Sequence, residues 1–238
     1  MDATLQINQI MQRYQLPDDK NLLYSYEEFR KLNLSQEFIF TLLCTFEDEK
    51  TFSESEYEKF SLEIIIDYIK RTHRYYLTKK LCEIEQTISI LLKDYSGNHP
   101  LLHILTDFFA EYTVHLTEHI QAEEKHLLPY IKTLLKFEKE EKTATEFLSA
   151  TKNYSLQSFI DSHHDTEKDL SDVRITISNY QPPPTNQTPY RILLLQLEAF
   201  EKDLAVHALI EDRVLIPRSL KLEKALYKHY SKQTPINK

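Results

Sequence analysis

Apolar residues recur at spacings of three and four along most of the chain beyond residue 60, the mark of helices that bury one stripe. Leu62, Ile65, Ile66, Ile69, Leu77, Leu81 and Ile84 form one such stripe, and Leu102, Leu105, Phe108, Phe109, Tyr112 and Leu116 form another. A later one runs through Ile192, Leu195, Leu197, Phe200 and Leu204. Three breaks interrupt the pattern. They are Ser96-Gly97-Asn98-His99-Pro100, the charged stretch from Glu138 to Thr145, and the run from Pro182 to Pro189. The pattern predicts helices over about 60–95, 100–137, 146–179 and 189–231, joined by short loops. Four such helices pack as an up-down-up-down four-helix bundle. Residues 1–55 read differently, with short candidate helices at Asp2–Arg13, Tyr26–Lys31 and Gln36–Phe46 around Leu16-Pro17-Asp18-Asp19. The expected organisation is a small helical N-terminal extension over 1–55, the bundle over 56–232 and a disordered tail over 233–238.

Composition narrows the class. The 238 residues include a single glycine, Gly97, too few for a fold built on hairpins that need positive φ, so the chain is expected to be all-α. A formal net charge of −8 argues against a nucleic-acid or anionic-membrane partner. No basic-then-apolar leader and no apolar run of membrane-spanning length is visible, which makes the cytoplasm the expected location. Cys44 and Cys82 are too isolated for a disulfide framework or a Cys-x-x-Cys site and read as reduced, small hydrophobes.

The chemistry lies in a repeat. His119-Ile-Gln-Ala-Glu123-Glu-Lys-His-Leu-Leu-Pro129 aligns without gaps on His207-Ala-Leu-Ile-Glu211-Asp-Arg-Val-Leu-Ile-Pro217. Each copy has an upstream histidine at a similar distance, His73 for the first and His164 for the second. Residues four apart share a helix face, so an imidazole and a carboxylate reach one point inside a bundle. One His-x-x-x-Glu pair alone is more often a surface pair. Two copies in one frame, each with a partner histidine, point to metal binding by four imidazoles and two carboxylates. Nitrogen and oxygen donors without thiolates suit iron, and manganese or zinc as well. The proline ten residues after each histidine is expected to kink or end its helix beyond the ligands.

Arg71-Thr72-His73, the first motif with Leu127-Leu128-Pro129, His163-His164-Asp165, and the second motif with Leu215-Ile216-Pro217-Arg218 resemble the hemerythrin-like di-iron proteins. Within them the likeness is greatest to the RIC (repair of iron centres) group, over about residues 60–220. The resemblance implies that His73, His119, His164 and His207 are terminal iron ligands and that Glu123 and Glu211 bridge the two irons. Adding an oxo or hydroxo bridge gives each iron five donors and leaves a sixth position for O2, NO or peroxide. The implied function is a response to nitrosative or oxidative stress, by binding NO or O2 or by supplying iron for the repair of iron–sulfur centres. Iron–sulfur proteins are then partners, and a homodimer is the assembly considered. No hydrolase or transferase signature is present. RIC proteins typically carry an N-terminal domain with adjacent cysteines before glycines, whereas residues 1–55 here hold only Cys44 and no glycine.

Two other readings make different demands. A hemerythrin-type O2-binding or sensing module needs a fifth histidine on iron, for which His115 is the candidate, although a supporting or core role is expected first. A metal-free helical adaptor needs no ligands at all. Among flanking residues, His163 is expected beside the site and Glu124 in solvent. His99, His103, His126 and His229 are expected in loops or on the surface, and Tyr68, Tyr75, Tyr76 and Tyr112 in the core.

Overall fold

The computed structural model describes residues 3–15, 35–94, 100–140, 142–162, 175 and 187–232. Among them every regular element is helical, and no strand occurs. The N-terminal helices are α1 (Ala3–Arg13), α2 (Gln36–Glu47) and the short α3 (Glu54–Tyr57). Three long rods follow, each interrupted by a five-residue π turn. The first is α4 (Leu62–Tyr75), a turn at Tyr76–Lys80 and α5 (Leu81–Asp94). The second is α6 (Pro100–Ala122), a turn at Glu123–Leu127 and α7 (Leu128–Lys139). Then come α8 (Ala144–Thr151) and α9 (Leu156–Ser162). The last rod is α10 (Thr188–Ile210), a turn at Glu211–Leu215 and α11 (Ile216–Ser231). The all-α reading holds. The expected helix Tyr26–Lys31, the Pro182–Pro184 loop and the tail beyond residue 232 lie outside the described residues.

Three expectations need correction. The prolines do not end their helices: α7 runs from Leu128 to Lys139 and α11 from Ile216 to Ser231, with Pro129 and Pro217 in their first turns. A proline lacks an N–H and tolerates a helix start, and the preceding π turn supplies such a start inside a continuing rod. Second, the segment expected as one helix from 146 breaks at 152–155. There Ser155 Oγ accepts from the Ser158 N–H at 3.2 Å and begins a new helix. Third, Ile192 and Leu195 are exposed, and the buried stripe of α10 is Leu193, Leu197, Phe200 and Leu204.

Packing divides into two apolar clusters. One joins Ile10, Phe38, Leu42 and Phe46 of the N-terminal helices to Ile65, Ile69, Leu127, Ile131, Val206 and Ile210. The other joins Tyr75, Tyr76, Ile84, Leu105, Phe109, Ile120, Leu197, Phe200 and Leu204. Each long rod passes from one cluster to the other, and buried polar residues stand at the crossing: Thr72 and His73, then Glu123, then Asp203, His207 and Glu211. A desolvated polar layer costs free energy unless its groups find partners or a metal. That layer is where the repeated motifs lie.

Candidate metal centre

His73 comes from the last turn of α4, His119 from the last turn of α6, and His207 from the last turn of α10. Glu123 and Glu211 open the π turns that follow the second and third. Among the described residues His73, Glu123 and His207 each offer a donor atom within 4.8 Å of the others, and all three are buried. Donors sharing one ion at about 2.1 Å lie roughly 3–3.5 Å apart, so modest adjustment brings these onto a cation. Glu123 presents its two oxygens to different histidines. Oε1 is 2.5 Å from His119 Nε2, and Oε2 is 3.0 Å from His73 Nε2. Glu211 Oε2 lies 3.4 Å from His207 Nε2, and the His73 and His207 rings meet edge-on with centroids 5.1 Å apart. Five of the six expected ligands are thus brought together; His164, like His163 and His99, lies outside the described residues.

Electrostatics separates the histidines. Burial alone would lower the pKa of His73, but hydrogen bonds and charges from Glu123 and Glu124 outweigh it and raise the group to about 9. Burial, aided by the positive field of His73, pushes His207 down to about 3, leaving it the neutral imidazole a metal requires. The carboxylates that favour a proton on His73 equally favour a cation among these donors. The residues present therefore fit a bound metal.

Glu124 is not simply solvated. Its Oε1 accepts from His73 Nδ1 at 3.1 Å, and its Oε2 faces Lys70 Nζ at 3.5 Å. Burial would raise its pKa, but His73 and Lys70 outweigh that and hold it below the ordinary carboxylate value. A carboxylate on the far nitrogen of a histidine fixes the ring's tautomer and aim, a common support for metal ligands. His115 departs from expectation in the other direction, being exposed. At 100° per residue it sits roughly 90° from the stripe of Leu105, Phe109, Tyr112, Leu116 and Ile120, on the flank beyond His119. It belongs neither to the core nor to the donor cluster. His103, His126 and His229 are exposed, and Tyr68, Tyr75, Tyr76 and Tyr112 are buried, as the sequence led us to expect.

Asp203 was missed. It is fully buried, accepts from the Tyr76 hydroxyl at 2.7 Å, and pairs with Arg13. Its signal was available: an acid interrupting an apolar stripe four residues before His207, the place that His115 takes before His119.

The model of the hemerythrin HHE cation binding domain matches residues 64–219, well over half of the chain and all of the donor cluster. The chain belongs to the hemerythrin HHE family. Its HHE domain is a cation-binding one, and the His/Glu group just described is where this chain offers donors. Among curated proteins, an iron-sulfur cluster repair protein ScdA from Staphylococcus haemolyticus is 25% identical over 151 residues, 63% of this chain and 64% of that protein. Proteins of the same name from two strains of Staphylococcus epidermidis are 22% identical over 158 residues, 66% of each chain. The chain thus spans just under two thirds of the length of these relatives. Their name matches the RIC likeness seen in the motifs around this HHE domain. No helix among the described residues is long and apolar enough to cross a membrane.

Proposed function

We propose that the chain holds two irons in the polar layer, with His73, His119, His164 and His207 as terminal ligands and Glu123 and Glu211 as bridges, and that it serves the repair of iron–sulfur centres under nitrosative or oxidative stress. The observation that carries this reading is the Glu123 carboxylate, whose two oxygens address histidines from two different helices. A single ion would draw both oxygens, or one, toward one centre. A carboxylate turned to two separate nitrogen donors suits a bridge between two ions. The relatives' name, iron-sulfur cluster repair protein, supports the role. The iron would supply affinity for a small ligand such as NO, O2 or peroxide. The protein's own part is to bury the donors, orient His73 through Glu124 and keep His207 neutral. Damaged iron–sulfur proteins are the partners this role requires.

Anaerobic purification, metal quantitation and an optical spectrum with and without NO test the reading. Two irons per chain and an NO-dependent spectral change are expected. Well under two irons per chain after reconstitution with Fe(II) would sink it, and stoichiometric manganese or zinc in preference to iron would redirect it.

A further inference from the structure

Arg13 is a buried cation brought into the bundle by α1, from outside the 64–219 span that the family model matches. Its Nη2 pairs with Asp203 Oδ1, and neither side chain has any exposure. The guanidinium also lies over the rings of Tyr75 at 4.9 Å and Phe46 at 5.2 Å. Burial would lower its pKa, but the Asp203 charge and the surrounding Tyr68, Tyr76 and Tyr75 together outweigh that and hold the group above its ordinary value. Buried ion pairs are often no more stable than apolar side chains of the same size, so the pair asks for a reason beyond stability.

The reason lies in what Asp203 touches. It stands one turn before His207 on α10, and its Oδ1 also accepts from the Tyr76 hydroxyl at 2.7 Å. Tyr76 follows His73 by three residues and opens the first π turn. Its ring packs edge-on against His207, with centroids 5.8 Å apart, and against Phe200 at 5.1 Å. The Tyr76–Asp203 hydrogen bond therefore ties the helix bearing His73 to the helix bearing His207, one turn from where the two imidazoles meet. A carboxylate can stay in that layer only with a counter-charge, and Arg13 provides it.

We propose that Arg13 is a positioning residue for the metal centre: by pairing with Asp203 it keeps Tyr76 tied across to α10 and so sets the spacing of His73 and His207. The proposal rests on the metal reading above, and the test separates the two. Fe(II) uptake by the full chain is measured anaerobically against a competing chelator, with the visible spectrum recorded after oxidation. Arg13→Met should weaken Fe(II) binding by about tenfold or more, the scale seen when a ligand's supporting partner is lost, and should alter the spectrum. Adding Asp203→Asn should recover most of the loss, because the asparagine oxygen still accepts from Tyr76 and needs no counter-charge. Tyr76→Phe leaves the ion pair and removes only the tie, so it carries the test if Arg13→Met does not fold; it should weaken binding and change the spectrum as well. Folded Arg13→Met or Tyr76→Phe protein with wild-type affinity and spectrum would overturn the proposal, as would a folded Arg13→Met/Asp203→Asn double variant no better than Arg13→Met. A wild-type chain that takes up no Fe(II) overturns the metal reading and this proposal with it; normal uptake with unaltered variants overturns this proposal alone.

Discussion

Glu124 shows how much a single position depends on the helix it starts from. Counting 100° per residue from Glu123 sends it toward solvent, yet in the π turn it stands beside α4 and holds His73 Nδ1. Replacing it by alanine should leave the fold intact, since its side chain is 30% exposed, and should weaken metal binding by roughly ten- to a hundredfold. Competition against a chelator of known affinity would measure this; an unchanged constant would mean that His73 needs no such support. His115→Ala is the matching control. Its exposure predicts unchanged metal content and an unchanged spectrum on mixing the reduced protein with O2. The donors that the structure brings together, His73, His119, Glu123, His207 and Glu211, were legible in the sequence because their spacing repeats. The roles of Glu124 and Arg13 were not, nor was the partner of Asp203, because each acts through a residue from a distant part of the chain, up to 190 residues away.

At the scale of elements, three π turns lie at or just beyond the histidines of α4, α6 and α10. Two are followed by a proline, and the turn at Tyr76–Lys80 is not. Such a turn therefore does not require a proline. Pro217 is exposed, so Pro217→Ala should keep iron uptake and shift stability by no more than about 1 kcal/mol. Loss of uptake in that variant would show instead that proline dictates the turn. The long helices were legible from periodicity and breakers. The phase of α10 was not, because Ile192-Leu193-Leu194-Leu195 is an unbroken apolar run that fits more than one stripe. Only the facing helices select Leu193 and leave Ile192 and Leu195 outside. The break at 152–155 was equally hidden, since its marker, Ser155, is a common residue whose capping bond appears only in the folded chain.

At the scale of the molecule, the described residues form two apolar halves joined at a polar waist. A waist rich in imidazole and carboxylate stabilises the fold most when it holds a cation. A ligand at a hundred times its dissociation constant adds about 2.7 kcal/mol. For a chain of this size that is a rise in melting temperature of roughly 5–10 °C. Calorimetry before and after chelation should show a fall of that size; a metal-free adaptor would show none. Arg13 has a different consequence, which concerns where the protein can be cut. A recombinant piece started near residue 60 would include every proposed ligand and the whole span shared with the family. It would also strip Ile10, Phe38, Leu42 and Phe46 from one half and leave Asp203 without its cation. The stretch recognisable by likeness is shorter than the stretch that packs together here, and expression boundaries chosen from the first are expected to yield a sticky, protease-prone fragment.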